Sequence, residues 1–209
     1  PIIVENLLGI KRQIGVYQKS KKPLMFADIK EIIKGINDSK LSEFKKLRDK
    51  SLILIGFSGG FRRSELVSIT KDDVEFVKEG VKIFVKKSKS DQSGEGMIKA
   101  IPSFRSLEYC PVDHLKKWLQ INKNDILFPI SDKNVALIIK KHALNAGLDD
   151  KKYAGHSLRS GFATSTAEVG ASERNIMAMT GHKSVEMVRK YIKEADLFKN
   201  NALNKISNE

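Results

Sequence analysis

The chain has 209 residues, of which 41% are hydrophobic, so it is long enough to bury a core and does not have the composition of a disordered polypeptide. Lysine and arginine number 38 against 25 acidic residues, and the net charge of +13 favours a polyanionic partner. The single cysteine, Cys110, excludes an internal disulfide and a cysteine-based zinc cluster, and no run approaches the roughly 20 apolar residues of a membrane span.

The N-terminal part of the sequence predicts a basic arm followed by helices. Residues 1–22 are irregular and basic, which is typical of a linker that leads into a folded domain. Isoleucines recur every three or four residues from about 27 to 36 and predict a helix with one buried face. A second helix is predicted from about 42 to 57, and Gly59-Gly60 ends it because glycine accepts the left-handed conformation that closes a helix. Its apolar face is formed by Phe44, Leu47, Leu52 and Ile55.

After a short helix predicted at about 64–69, apolar residues begin to alternate with polar ones, which indicates β-structure. Three short strands are predicted around residues 74–76, 81–85 and 97–98. A turn at Glu79-Gly80 joins the first two strands, and a longer segment, 88–96, joins the last two. These elements predict a small antiparallel sheet lodged within a helical domain.

Helical spacing returns in the second half of the chain. Five helices are predicted there, at about 111–121, 132–146, 157–168, 173–180 and 185–193. The last residues, 196–209, are polar with a few embedded apolar side chains, and they predict a tail that does not form a core of its own. The fold class is therefore mainly α with a small antiparallel three-stranded β-sheet, and the domain spans residues 23–195.

Three segments carry side chains suited to phosphate chemistry. Arg62 follows the glycine pair in GGFRRSEL, and His156 and Arg159 lie three residues apart in GHSLR, a spacing that puts both on one face at the start of a helix. His182 and Tyr191 lie nine residues apart in GHKSVEMVRKY. Each residue alone has an ordinary capping, surface or packing explanation, so the functional hypothesis depends on the set.

In this order, GGFRRSEL, GHSLRSGFAT and TGHKSVEMVRKYI closely resemble the signature segments of the tyrosine recombinases, the phage-integrase family. The resemblance covers about residues 23–195. It implies the tyrosine-recombinase catalytic-domain fold, of the DNA breaking-rejoining type, and site-specific recombination or integration of double-stranded DNA. It also implies that neither metal, cofactor nor ATP takes part, and that residues 1–22 are the linker from an N-terminal DNA-binding domain.

The resemblance assigns roles to the five residues. Arg62 and Arg159 hold the scissile phosphate with planar forks of donors that stay charged at any working pH. His156 and His182 complete the phosphate site, and His156 accepts the proton of the nucleophile. Tyr191 attacks phosphorus and remains as a 3′-phosphotyrosine.

Two further positions follow from the resemblance. Glu65, three residues after Arg62, occupies the acidic position of the family, where it orients an active-site side chain. The catalytic lysine of the family lies in a β-turn and corresponds to Lys89 in KKSKSDQ, where it is the general acid for the leaving 5′-oxygen. A slip of register would select Lys87, and Lys86 is also close.

The resemblance implies double-stranded DNA as the partner and no association with a membrane. It also implies that the protein acts in the cytoplasm, at the nucleoid. Recombinases of this family act as homotetramers on DNA, so we expect a monomer or weak oligomer without it. The tail, 196–209, is a candidate helix that docks on a neighbouring protomer in trans, the alternative being that it folds back in cis.

Two other functions explain parts of the sequence. Residues 173–193 place two short helices around a glycine turn, so a non-enzymatic regulator with a helix-turn-helix would account for this segment and for the charge. A type IB topoisomerase-like enzyme would share the tyrosine, arginines and histidine. The regulator leaves Arg62, Lys89, His156 and Arg159 without a function. The tail after Tyr191 favours a recombinase, because recombinases commonly dock such a segment onto a neighbour.

Overall fold

A computed structural model describes residues 4–6, 9–10, 13, 21–86, 94–196 and 202–205. The helices of the domain are α1 (Phe26–Asn37), α2 (Glu43–Ser58), α3 (Arg63–Ser68), α4 (Pro111–Ile121), α5 (Asp132–Asn145), α6 (Ser157–Glu168), α7 (Glu173–Thr180) and α8 (Val185–Asp196). The strands are β1 (Val74–Val77), β2 (Gly80–Val85) and β3 (Met97–Pro102), and they lie between α3 and α4 in the chain. The predicted mainly α class with a small sheet is confirmed.

Helix α2 runs through the middle of the core. It packs against α1, α4 and α6, and the consecutive residues Leu52, Ile53, Leu54 and Ile55 are all fully buried. The prediction of one buried face is therefore wrong for this half of the helix, because a helix covered by neighbours on every side buries residues all round. Phe44, predicted on the apolar face, lies near the N-terminal end of α2 and is 46% exposed.

The sheet is antiparallel in the order β1-β2-β3, and one of its faces belongs to the core. Val81 pairs with Ile101 and Ile83 pairs with Lys99, and directly paired residues share a face of an antiparallel sheet. All four side chains are buried. Strand β3 is longer than predicted, and its pleat exposes Ile98 and buries Lys99.

The C-terminal helices form a second apolar cluster. Ala163 and Ala167 of α6 are buried against α7 and α8, whose Ile176 and Val188 are also buried, and Tyr191 packs on the edge of this cluster. This packing fixes α8, and with it Tyr191, beside α6. No helix within the described ranges combines the length and the hydropathy needed to cross a membrane.

Candidate active site

The turn between α2 and α3 shapes one wall of the site. Gly60 has a φ of 54°, in the left-handed region that favours glycine, and an added Cβ there would lie 3.1 Å from Phe162 and from Thr180. The turn brings Arg62 to the start of α3. Its backbone N–H donates to Glu65 Oε2 at 3.0 Å, and its Nη1 donates to Glu65 Oε1 at 2.6 Å. The Glu65 side chain is 1% exposed, so a buried carboxylate holds Arg62 in a defined orientation.

Arg159, on the first turn of α6, is fully buried and has unused donors. Its Nη1 donates to the carbonyl oxygen of Gly60 at 2.8 Å. Its Nε and Nη2 are buried and have no hydrogen-bond partner among the described residues. Burial, together with the positive charge of Arg62, lowers the pKa of Arg159 to about 10, which leaves it charged at neutral pH. Two buried cationic donors without an acceptor are costly, and an anion would satisfy both.

His156 and Tyr191 meet at the mouth of the site. His156 is the N-cap residue of α6, and its Nε2 lies 3.3 Å from the hydroxyl oxygen of Tyr191 on α8. Partial desolvation of the ring and the positive charges of Arg159, Arg62 and Arg63 lower the pKa of His156 below its usual value of 6.5. The imidazole is therefore neutral at pH 7 and can accept the proton of the phenol.

His182 is buried behind Tyr191, and their ring centroids are 5.9 Å apart. Thr180 Oγ1 donates to the Ile176 carbonyl at 2.6 Å and lies 2.8 Å from His182 Nδ1. Because the single hydroxyl proton goes to the carbonyl, Nδ1 of His182 is the donor in the second bond. Burial, then the charges of Arg159 and Arg62, lowers the pKa of His182 to about 4. Its Nε2 is consequently unprotonated at neutral pH.

This set of two arginines, two histidines and a tyrosine lies within a chain that matches the phage integrase family over residues 22–197. The chain belongs to the phage integrase family. The predicted membership is thereby confirmed. The match covers the whole region from the residues preceding α1 through the end of α8.

Known recombinases and integrases are similar to this chain in sequence or in structure. An integrase/recombinase XerD homolog of Selenomonas ruminantium is 45% identical over 215 residues, which is 96% of this chain and 62% of that protein. The chain therefore spans less than two thirds of the length of this relative. The XerH site-specific recombinase bound to its difH substrate has a TM-score of 0.68 at 20% identity, over 83% of this chain and 51% of that one. A lambda integrase tetramer bound to a Holliday junction has a TM-score of 0.59 at 19% identity, over 86% and 50%. The predicted tyrosine-recombinase fold is confirmed.

The neighbouring arginine in the phage-integrase signature, Arg63, points elsewhere. Its side chain packs directly against Gly155, since a Cβ added to that glycine would lie 1.8 Å from Arg63 Cδ. Its Nη2 lies 4.0 Å from Asp132 Oδ2. Arg62 is therefore the arginine of the pair that the structure brings to Glu65.

The lysines of the β2–β3 connection are only partly described. Lys89 and Lys87 lie outside the described residues. Lys86 is described, and its Nζ forms an ion pair with Asp73 Oδ1 at 2.9 Å. Lys86, which directly follows β2, is thus paired with the residue that directly precedes β1.

Two residues in contact with the site were not selected from the sequence. Lys99 on β3 is fully buried, and Thr180 fixes the tautomer of His182. The signal for Lys99 was strand alternation, since Met97, Lys99 and Ile101 share one face and Ile101 is a core residue. No sequence signal identified Thr180, because its bond to His182 depends on the left-handed turn at Gly181 (φ 64°).

Proposed function

We propose that this chain is the catalytic domain of a site-specific tyrosine recombinase, which cuts and rejoins double-stranded DNA through a 3′-phosphotyrosine at Tyr191. The observation that carries the proposal is the pair of unsatisfied, buried Arg159 donors beside the His156–Tyr191 contact of 3.3 Å. An anion-binding pocket next to a tyrosine with its own base is what phosphoryl transfer to a tyrosine needs. The recombinase names of the relatives and the net charge of +13 support DNA as the substrate.

The cleavage step follows from the arrangement of these groups. A phenol has a pKa of about 10, so only about one in a thousand is ionised at pH 7. His156 removes the phenolic proton as Tyr191 Oη forms its bond to phosphorus and the bond from phosphorus to the 5′-oxygen breaks. Arg62 and Arg159 stabilise the negative charge on the non-bridging oxygens, and each such preorganised donor contributes about 3–4 kcal/mol in comparable sites. The phosphotyrosine retains the bond energy, so rejoining to another 5′-hydroxyl needs no ATP.

His182 contributes to phosphate binding only after it gains a proton. With Nδ1–H directed at Thr180, a neutral ring has no hydrogen on Nε2 to donate. The negative charge of a phosphate favours the imidazolium and opposes the burial that keeps the ring neutral without DNA. We therefore propose that His182 enters the reaction as a cation whose second proton arrives with the DNA.

The function is tested by capture of the covalent complex from a library of nicked duplexes that carry a randomised segment. The short strand released by cleavage diffuses away, so the phosphotyrosine accumulates and its DNA can be sequenced. We expect an adduct that survives denaturation and forms in EDTA without any nucleotide. The recovered sequences then supply a defined substrate for every variant.

Three outcomes would contradict this function, each in favour of a different one. Loss of cleavage in EDTA with recovery in magnesium would indicate a metal nuclease. DNA retained in a mobility-shift assay with no adduct would indicate the helix-turn-helix regulator. Relaxation of supercoiled plasmids that lack the recovered sequence, without strand exchange, would indicate a type IB topoisomerase-like enzyme.

Lys89 is proposed as the general acid that protonates the leaving 5′-oxygen. Lys89→Ala should slow cleavage by about 10²–10⁴-fold, the usual contribution of a general acid. Replacing the 5′-bridging oxygen by sulfur should restore the rate, because a thiolate leaves without a proton. Lys87→Ala is the matched control and should be close to wild type on both substrates. If Lys87→Ala is the slow variant and the sulfur substrate restores its cleavage rate, the general acid is Lys87. If the sulfur substrate restores the rate of neither variant, the lysines bind phosphate.

We further propose that the protein assembles as a tetramer on DNA, in the cytoplasm at the nucleoid. Strand exchange between two duplexes needs four tyrosines, and the lambda integrase relative is a tetramer on a Holliday junction. The tail, 196–209, has too few apolar residues for a core of its own, and we propose that it docks on a neighbouring protomer. Deletion of the tail should abolish junction formation and keep single-duplex cleavage within about threefold. Full-rate recombination by the truncated chain would exclude a role in assembly.

An apolar groove is the surface that we propose receives this tail. It has a volume of about 560 Å³ and is lined by Phe26, Phe57, Phe104, Phe162 and Val169, among others. Val169, one of the lining residues, is 84% exposed and is therefore accessible to a partner. Val169→Asp should reproduce the tail deletion, whereas Leu144→Asp on the exposed side of α5 should not. If the two substitutions have equal effects on junction formation, or if neither has an effect, the tail does not bind this groove. It would then bind another surface of the neighbour or fold back in cis.

A further inference from the structure

Lys99 is a buried cation that no step above uses. It lies on β3, its side chain is 0% exposed, and it is paired across the sheet with the buried Ile83. Its Nζ donates to the Gly59 carbonyl at 2.8 Å and to the Met179 carbonyl, and it lies 4.7 Å above the ring of Phe61. Burying an ammonium is costly even when it is hydrogen-bonded, so a lysine at this position in an otherwise apolar strand face needs a reason.

The partners of Lys99 belong to the segments that carry the phosphate site. Gly59 immediately precedes Gly60, whose carbonyl accepts the bond from Arg159 Nη1. Met179 immediately precedes Thr180, which holds His182 by Nδ1. The carboxylate that orients Arg62 is also near, because Lys99 Nζ is 4.0 Å from Oε2 of that acid.

We propose that Lys99 is a positioning residue for the recombinase reaction, whose ammonium joins the α2–α3 turn, Glu65 and the C-terminal end of α7 and so holds Arg62, Arg159 and His182 in one phosphate-binding arrangement. This inference rests on the function proposed above. Lys99 does not touch the phosphate and acts through the backbone carbonyls and the carboxylate that it contacts. Since β3 directly follows the connection that contains Lys89, the same contacts also anchor the strand leading from the proposed general acid into the core.

The charge of Lys99 adds a dependence on pH. Burial lowers its pKa to about 7, the negative charge of Glu65 opposes that change, and the positive charges of Arg159 and Arg62 add to it. Those three groups and the dipoles of the two carbonyls face the ammonium, and the positive charge of Lys99 in turn contributes to the lowered pKa of His182. As pH rises through about 7, the ammonium loses its proton and with it the attraction to the carboxylate. Cleavage at subsaturating DNA should therefore decline above neutral pH, since such rates report the free enzyme.

The first test compares Lys99→Met with Lys82→Met on the recovered substrate. Methionine has a similar volume and no charge, and Lys82 is an exposed lysine on the adjacent strand that pairs with Ala100. Lys99→Met should cleave about 10- to 100-fold more slowly, the loss expected from a displacement of about 1 Å in a catalytic group, with DNA affinity within threefold of wild type. Lys82→Met should match wild type in both. A folded Lys99→Met protein that cleaves within twofold of wild type would overturn the proposal.

A second variant separates positioning from mere structural support. Lys99→Arg keeps the donors and keeps its charge at all working pH values. It should recover most of the cleavage rate lost in Lys99→Met and lose the decline above pH 7. An arginine variant that melts like the wild type yet stays as slow as Lys99→Met would contradict the role of the charge, as would an unchanged pH profile.

A third measurement does not depend on cleavage. In a nitrogen-15 spectrum, the Nδ1–H of His182 should exchange with solvent at least threefold faster in Lys99→Met, because the carbonyl next to Thr180 loses its anchor. His114, whose Nε2 bonds to the Glu108 carbonyl away from the site, is the internal control. If wild-type protein forms no covalent adduct, the proposed function fails. Unchanged exchange at His182 in the variant overturns the positioning role by itself.

Discussion

Tyr191→Phe should abolish covalent attachment to DNA, with a loss of at least about 10⁴-fold, because removal of a catalytic nucleophile costs that much or more. DNA affinity should stay within about twofold. The substitution removes only the hydroxyl oxygen that lies 3.3 Å from His156 Nε2. The ring keeps its packing against the cluster that contains Ala163 and Val188, so α8 should remain in place. The measurement is denaturing electrophoresis of the protein after incubation with a nicked duplex.

Tyr153→Phe is the matched control for this prediction. Tyr153 lies three residues before His156 in the sequence but is buried, and burial raises the pKa of its phenol above 10.0. It should form the adduct at the wild-type rate. An adduct that persists in Tyr191→Phe and disappears in Tyr153→Phe would transfer the nucleophile assignment to Tyr153.

Local sequence signals predicted the elements closely because each has a local cause. The helix predicted from about 132 begins after Ser131, a residue type that commonly caps helices, and the Ser131 hydroxyl accepts from the backbone N–H of Asn134. Gly181 was expected to end a helix, and it does so in the left-handed conformation. The helix predicted at about 111–121 carries Trp118, which is fully buried and donates to the Leu127 carbonyl. Caps, turns and strong hydrophobic periods act within a few residues, so the sequence exposes them directly.

Features that depend on tertiary packing were beyond these signals. The period of α2 could not indicate that neighbours cover it on every side, since burial depends on elements distant in sequence. In β3 the adjacent apolar residues Met97 and Ile98 predicted a strand. The pleat of that strand leaves Ile98 61% exposed and turns Lys99 inward. A lysine is so seldom fully buried that a composition-based expectation places it outside. The three partners that make this burial possible come from the α2–α3 turn, from α3 and from the C-terminal end of α7, which the fold brings together.

For the site, the resemblance selected the residues and the structure supplies the reasons for their orientation. The sequence alone gave no indication that Gly60 would offer its carbonyl to Arg159, or that Thr180 would determine which nitrogen of His182 carries the proton. Both contacts depend on glycines with positive φ, at 54° for Gly60 and 64° for Gly181, which place backbone and side chain where a regular helix could not.

Replacement of Arg159 should also slow cleavage strongly. In Arg159→Lys the positive charge remains but the planar fork is lost. A single ammonium cannot bond to the Gly60 carbonyl at 2.8 Å and also offer the two directions now taken by Nε and Nη2. We expect cleavage to fall by about 10²–10³-fold, the usual cost of one preorganised donor to a developing oxyanion. The free protein should be no less stable, because the variant leaves fewer buried donors unsatisfied.

Arg63→Lys is the control for the effect of changing an arginine near the site, because Arg63 crosses Gly155 and points toward Asp132. It should cleave within about threefold of wild type, since exposed charges near a site contribute little in high dielectric. Single-turnover rates at saturating DNA, together with thermal melting of each variant, separate loss of chemistry from loss of fold. If Arg159→Lys cleaves at the wild-type rate, the two buried donors do not bind the scissile phosphate. If Arg63→Lys is the slower variant, Arg63 rather than Arg62 holds the phosphate.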